Sequence, residues 1–330
     1  MKIALLSVTK KGRMIVKNIH TILEEDPSVI KVDMFHKNIK ETLYNIFNSY
    51  DCIIGVMATG IMIRNICTLI KNKNEDPAVL VIDEMGKHVI SLISGHLGGA
   101  NDFSIKIADI IDAEPIITTS TDINNKLGID SLSRRYYLKI DDISKIKYIN
   151  SALINDERVE IAFNPKLNYL WEDLDVKKSY YKSSTTSDTI TVSKSSIAMN
   201  LKPKKLVVGI GSRKDVASSV VINAIKNALN VLGLPLERID SIATGQMKQN
   251  ENGIIDATQE LHIPLEIISE KSIKNFKNPD LNDSDFVKNK FGVGGVCEPS
   301  ALIAAGNDSI LIFRKTPYNG VTVAIAVSKS

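Results

Sequence analysis

His88-Val-Ile-Ser-Leu-Ile-Ser-Gly-His-Leu-Gly-Gly-Ala-Asn101 decides the fold. His88 to Ile93 is a short apolar run of strand length, and from Gly98 to Ile111 the apolar residues recur at helical spacing. A buried strand handing over to a helix through a glycine-rich turn is the repeating joint of an α/β sheet. Just upstream, Ala78 to Asp83 (AVLVID) reads as another buried strand, joined through Glu84-Met-Gly-Lys87. Further out, Lys2 to Val8, Val29 to Phe35, Asp51 to Met57 and Pro115 to Thr119 read as strands. Helical patterns over Lys10 to Glu24, Lys40 to Asn48 and Ile61 to Lys71 fall between them. The alternation predicts an α/β fold with a mostly parallel sheet.

The texture changes near Leu132: six of the nine Tyr and the single Trp lie between Tyr136 and Tyr181, followed by a Ser/Thr stretch from Ser183 to Ser196. A second α/β unit opens with the strand Leu206 to Ile210 and a helix over Asp215 to Leu232, capped by Asp215 or Ser212. Strands at Ile239 to Thr244, Leu265 to Ser269, Ile310 to Arg314 and Val321 to Val327 complete it, with helices over Gly253 to His262 and Pro299 to Ala305. The expected architecture is two α/β domains with mostly parallel sheets, joined by a small variable middle segment. The N-terminal domain takes 1–131, the middle segment and linker 132–204, and the C-terminal domain 205–330.

The 330 residues suit two domains of about 150 each. With 44% hydrophobic and 24% charged residues, wholesale disorder is excluded. The formal charge of +3 is too weak a bias to argue for nucleic acid, so anionic ligands would be held by local clusters. Three scattered Cys without a CxxC exclude a disulfide scaffold and a cysteine-rich zinc site. The N-terminus lacks a signal-peptide apolar region, and no run reaches membrane-spanning length. A soluble, cytoplasmic protein is expected.

Ser94 to Asn101 is the strongest local feature. Gly95, Gly98 and Gly99 allow close backbone approach, helix-start N–H groups favour an anion, and His96 can move protons near neutral pH. A glycine-rich turn whose His merely bonds backbone reads equally well. Asp83 and Glu84, also at a strand end, would approach His96 if the two strands are neighbours; an ordinary tight turn is the plainer reading. Thr59-Gly60 with Arg64 can receive a carboxylate, and Thr118 to Asp122 is a hydroxyl-rich fourth loop. In the second unit, Gly209-Ile-Gly211-Ser-Arg213-Lys214 is half of a dinucleotide fingerprint, and its cations suggest a plain anion site. Gly292-Val-Gly294-Gly295 leads into Glu298 at a helix start, either a cap or a general base. Cys297 reads as a buried small hydrophobe, and Arg314-Lys315 as two cations or the flank of a hairpin.

These motifs resemble the cobalamin biosynthesis CbiG family, the cobalt-precorrin-5A hydrolases. The resemblance runs over nearly the whole chain. It is carried by VMATGIMIR (Val56 to Arg64), IDEMGKHVISLISGHLGGAN (Ile82 to Asn101), TTSTD (Thr118 to Asp122) and GIGSRK (Gly209 to Lys214). IATGQMKQNENG (Ile242 to Gly253), FGVGGVCEPSALIAAG (Phe291 to Gly306) and RKTPYNGVTVAIA (Arg314 to Ala326) extend it. Ser212 stands where relatives often carry Cys, and Gly245-Gln-Met247 departs from the family's stretch before Lys248.

The resemblance implies opening of the ring A δ-lactone of cobalt-precorrin-5A and expulsion of C20 as acetaldehyde, giving cobalt-precorrin-5B. This is a step of anaerobic vitamin B12 synthesis. His96, Glu298 and Glu84 are the implied catalytic candidates. Thr59, Gly60, Arg64, Gly95, Gly98, Gly99, Asn101, Thr118, Thr119, Gly211, Arg213, Lys248, Gly292, Gly294 and Lys315 are the implied substrate contacts. His96 or Glu298 would activate water, and N–H groups at Gly98-Gly99 or Gly294-Gly295 would hold the oxyanion. Glycine-lined junctions of both halves are expected to clasp the macrocycle. No protein-bound metal or separate cofactor is implied, since cobalt comes with the substrate. Expected partners are that substrate, water and other corrin-pathway enzymes, with no nucleic acid and no membrane; the oligomeric state stays open. A non-catalytic carrier of cobalt-corrin intermediates is the alternative, and a nucleotide-dependent enzyme a weaker one.

Overall fold

Strands buried on both faces need apolar residues at every position, and the first hundred residues supply several such runs. In the computed structural model, which describes residues 1–72, 75–278 and 295–329, they form a six-stranded sheet. Its strands are β1 (Lys2–Ser7), β2 (Lys31–His36), β3 (Cys52–Val56), β4 (Ala78–Ile82), β5 (His88–Ile93) and β6 (Glu114–Ile116), in the order β2-β1-β3-β4-β5-β6. Helices α1 (Lys10–Glu25), α2 (Ile39–Ile46), α3 (Thr59–Ile66) and α4 (Ala100–Ile111) cover it. Successive side chains point to opposite faces. Ile3, Leu5, Ile54 and Leu80 therefore pack with Val16 and Ile19 of α1 and Ile107 of α4. Ala4, Leu6, Ile53 and Val79 meet Leu43 of α2 and Met62 of α3 on the other face.

Two strands run backwards. β1 to β4 are mutually parallel, but β5 pairs antiparallel with β4, Val79 opposite Ile93 and Ile82 opposite Val89, and β6 is parallel to β5. The loops after β3 and β4 therefore lie at one edge of the sheet. Those after β5 and β6 lie at the opposite edge, about 17 Å away along the strands.

Chain Met1–Lys202 is one compact unit. After β6 come α5 (Ser120–Ile123) and α6 (Ile129–Arg135), the latter spanning position 131. A second sheet then joins β7 (Leu138–Ile140), β8 (Glu160–Phe163), β9 (Tyr181–Ser184), β10 (Ile190–Lys194) and β11 (Ile197–Pro203) in the order β7-β11-β10-β8-β9. It carries α7 (Ile146–Ile154), α8 (Tyr169–Glu172) and α9 (Leu174–Ser179).

Pro203–Ser330 forms the second unit. Its sheet orders β14 (Leu265–Ile268), β13 (Ser241–Gly245), β12 (Leu206–Ser212), β16 (Val321–Val327) and β15 (Ile310–Tyr318) as β14-β13-β12-β16-β15. The first three are parallel; β16 runs antiparallel to β12 and forms a hairpin with β15. The described helices are α10 (Ser218–Leu232), α11 (Asn252–Leu261), α12 (Glu270–Asn275) and α13 (Cys297–Ala305). The cap expected at Asp215 or Ser212 is not formed: α10 starts after Ala217, which makes no side-chain capping bond, and Asp215 sits in a left-handed turn at φ 58°. No helix of the described residues is long and apolar enough to cross a membrane.

Gly209 explains how α13 rests on β12. A Cβ there would lie 2.0 Å from the Cys297 carbonyl oxygen, so the fingerprint-like glycine serves backbone packing. Gly209→Ala is expected to destabilise the protein by about 1–3 kcal/mol, read as a lower urea midpoint; an unchanged midpoint would contradict this role.

Candidate active site

In the first unit the Ser94–Gly99 loop turns β5 into α4. Ala100 N–H donates to Ser94 O at 3.1 Å and Asn101 N–H to Gly95 O at 3.0 Å, so the loop folds back on its own carbonyls. Gly99 is left-handed at φ 85°, and the N–H groups of Gly98 and Gly99 have no partner among the described residues. His96 projects from this loop between two carboxylates. Its Nε2 lies 2.7 Å from Asp122 Oδ2 and its Nδ1 3.1 Å from Asp130 Oδ2. Asp122 Oδ2 also accepts from Thr119 Oγ1 at 2.7 Å, Asn101 Nδ2 at 3.2 Å and Thr121 Oγ1 at 3.2 Å. Ser91 Oγ donates to Asn101 Oδ1 at 2.7 Å, which fixes that amide.

Both ring nitrogens of His96 face carboxylate acceptors, with the Thr121 hydroxyl also 2.9 Å from Nε2, and the two carboxylates together favour the doubly protonated ring. Burial opposes the charge, but the hydrogen bonds to Asp122 and Asp130 and their negative charges outweigh it and raise the His96 pKa to about 10. Burial alone would raise the two carboxyls as well; their bonds to His96 hold Asp122 and Asp130 below the ordinary Asp value. His96 is an imidazolium at neutral pH. It lacks the free nitrogen lone pair that a water-activating base needs, so that expected role does not fit this geometry.

The cluster has a pH signature. Relative to an ordinary His at 6.5, its stabilisation is complete below pH 6.5 and is lost as pH rises toward about 10. Relative to an ordinary Asp at 3.8, the carboxylate contribution is present above pH 3.8 and is lost as pH falls below it. We expect the urea midpoint of the native protein to drop between pH 6.5 and about pH 9 more than that of His96→Gln. Parallel pH curves for the two proteins would contradict the charged cluster.

The other N-terminal candidates divide between the two edges. Thr118 is exposed beside the His96 cluster, at the same edge. Thr59, Gly60 and Arg64 lie after β3 at the opposite edge, with the Arg64 guanidinium folded over Gly60. Glu84 is exposed in the β4–β5 turn at that edge, so it does not meet His96. Asp83 stays in the turn as well, accepting N–H bonds from Met85, Lys87 and His88. The physical reason is the reversal of β5. Asp130, and Asp122 as a contact of His96, are the residues the sequence reading missed.

In the second unit the candidates converge. The start of α13 lies over the middle of β12 and the carboxyl end of β13: Val296 packs on Gly245, and Cys297 on Gly209. Glu298, 8% exposed, accepts the Lys315 backbone N–H at 2.8 Å through Oε1; Oε2 has no partner among the described residues. Burial raises the Glu298 pKa above the ordinary Glu value, and the Lys315 N–H with the Lys315 and Arg314 charges restores only part of that shift. The fixed Oε1 and free Oε2 suit a general base. Gly211 pairs with Thr322 at the same edge, and Arg213 is tied there by its N–H to Gly320 O at 2.8 Å. The Lys315 ammonium sits beside Gly295. Lys248 follows β13 but is already paired, Nζ to Glu251 Oε1 at 3.0 Å. Burial, helped by the Glu298 charge, pushes the Cys297 thiol up to about 12, an inert group. Gly292 and Gly294 lie outside the described residues.

A protein of Methanocaldococcus jannaschii named "Probable cobalt-precorrin-5A hydrolase" is 36% identical over 99% of this chain and 99% of its own. The profiles described as Cobalamin synthesis G N-terminal and Cobalamin synthesis G C-terminus match residues 41–122 and 206–326. The chain belongs to the cobalamin synthesis G family. Within this family, the Cobalt-precorrin-5A hydrolase of Salmonella typhimurium is 29% identical over 89% of this chain and 87% of its own. A solved cobalamin biosynthesis protein G homologue from Sulfolobus solfataricus superposes with TM-score 0.61 at 30% identity, covering 99% of this chain and 97% of its own. The two family profiles include His96, Asp122 and Glu298, whereas Asp130 falls in the stretch between them.

Proposed function

We propose that this chain is a cobalt-precorrin-5A hydrolase: it opens the ring A δ-lactone with water and releases C20 as acetaldehyde, leaving cobalt-precorrin-5B. The match to the Methanocaldococcus jannaschii protein named "Probable cobalt-precorrin-5A hydrolase", over 99% of both chains, supports the reading most. In the first step Glu298 takes a proton from water through its free Oε2, and the resulting hydroxide adds to the lactone carbonyl. The carbonyl re-forms as the ring C–O bond breaks, giving a carboxylate arm and a hydroxyl. That hydroxyl then loses its proton, the bond from C20 to ring A breaks, acetaldehyde leaves, and the electron pair passes into the macrocycle. The cobalt is part of the substrate, and no further cofactor takes part in these steps.

Arg213 and Lys315 suit the carboxylate arms of such a substrate, as fork and point cations at the edge that carries Glu298. His96, in the first unit, holds a proton through the neutral range and suits the role of an acid. The test is anaerobic incubation of purified protein with cobalt-precorrin-5A in H2¹⁸O. Attack at the carbonyl predicts acetaldehyde release and ¹⁸O in the new carboxylate arm. A macrocycle bound intact, with no aldehyde formed, would instead mark a carrier.

A further inference from the structure

The His96 cluster continues into the middle segment, between the two family-matched stretches at 41–122 and 206–326. Asp130 presents Oδ2 to His96 and turns Oδ1 away from it. There Asn150, on α7, donates from Nδ2 to Asp130 Oδ1 at 3.0 Å. The Asn150 Oδ1 in turn accepts the Ile129 N–H at 2.9 Å, which ties it to the first turn of α6. The Ser131 N–H gives Asp130 Oδ1 a second donor at 3.2 Å. Both ends of the Asn150 amide are thus used, and its orientation is set by the bonds it makes.

Gly128 supplies an independent sign that the pair is built to a tight tolerance. A Cβ at Gly128 would sit 2.8 Å from Asp130 Oδ1 and 3.1 Å from Asn150 Nδ2. Its φ of −60° is open to any residue, so only this close approach calls for glycine. Asp130 is 4% exposed, and a carboxylate so far from water needs fixed donors to stay charged.

We infer that Asn150 is a positioning residue for the reaction. It holds Asp130 so that Oδ2 meets His96 Nδ1, and thereby makes the middle segment part of the catalytic apparatus. The inference rests on the reading of His96 as the acid. The charged and titratable groups around the ring are Asp122 from α5, Asp130 from α6 and the buried Tyr180 phenol near Asp130. The Arg134–Asp102 pair lies beside Gly99. Asn150→Ala removes one donor and changes none of these charges. Asp130 then loses its fixed orientation, and His96 loses one of two well-placed acceptors.

The experiment measures the His96 ring titration by NMR of histidine-labelled protein, alongside the pH profile of acetaldehyde release. Asn150→Ala is expected to lower the His96 pKa by about one unit, to move the alkaline limb of the profile down with it, and to cut the rate about 10–100-fold. Gly128→Ala, which wedges the pair apart without removing a polar group, should shift both in the same direction; it also serves if the first variant folds poorly. An unshifted or raised His96 pKa in both variants overturns the inference, whatever the rate does. A lowered pKa with an unchanged rate supports the positioning of the ring but removes His96 from the reaction, which separates failure of the acid role from failure of the Asn150 link.

Discussion

Glu298→Gln is expected to lower the rate of acetaldehyde release by about 10²–10⁴-fold with little change in macrocycle binding. The amide keeps the size of the carboxyl and can still accept the Lys315 N–H through its oxygen. It cannot take a proton from water. Because burial raises the Glu298 pKa, the native enzyme should also lose rate on acidification at a pH above the ordinary Glu value of 4.5. In Glu298→Gln that acidic limb should vanish with the rate. A variant that retains near-native turnover would assign the base elsewhere.

His96→Ala should cost about 10²–10⁴-fold as well, with a different pH signature. An imidazolium held by two carboxylates stays charged through the neutral range. The native rate should therefore be level from about pH 7 to pH 9 and fall only as the ring loses its proton near its value of about 10. A histidine acting as base predicts the reverse, a rate that climbs as the ring loses its proton. His96→Ala also leaves Asp122 and Asp130 facing each other without the cation between them. Part of the loss should then appear as instability, and His96→Lys, which restores a cation without the ring geometry, should recover stability more than rate.

The apolar runs at Lys2–Ser7, Cys52–Val56 and Ala78–Ile82 were legible as strands because each is buried on both faces of the sheet. The direction of β5 was not read, although a signal was present. Asp83 to Lys87 is far too short for the dozen or more residues that a parallel crossover needs, so the link had to be a hairpin-like reversal. The reversal puts Thr59, Arg64 and Glu84 at the edge opposite His96. Asp130 left no such trace. In Gly128-Ile-Asp130-Ser it looks like any acidic residue in a first helical turn, and its partners His96 and Asn150 are 34 and 20 residues away in sequence. The placement of Glu298 and Arg213 was easier to anticipate, since Glu298 opens a helix and Arg213 follows a strand of one small sheet, and Lys315 meets Glu298 through a backbone bond.

Single-turnover reaction under anaerobic conditions tests the central claim most directly, with native protein and Glu298→Gln each mixed with cobalt-precorrin-5A and followed by bound pigment and aldehyde together. The native protein should release one acetaldehyde per bound macrocycle, and Glu298→Gln should bind the pigment yet release almost none on the same timescale. Pigment bound by native protein without aldehyde, or aldehyde from Glu298→Gln at close to the native rate, would contradict the account.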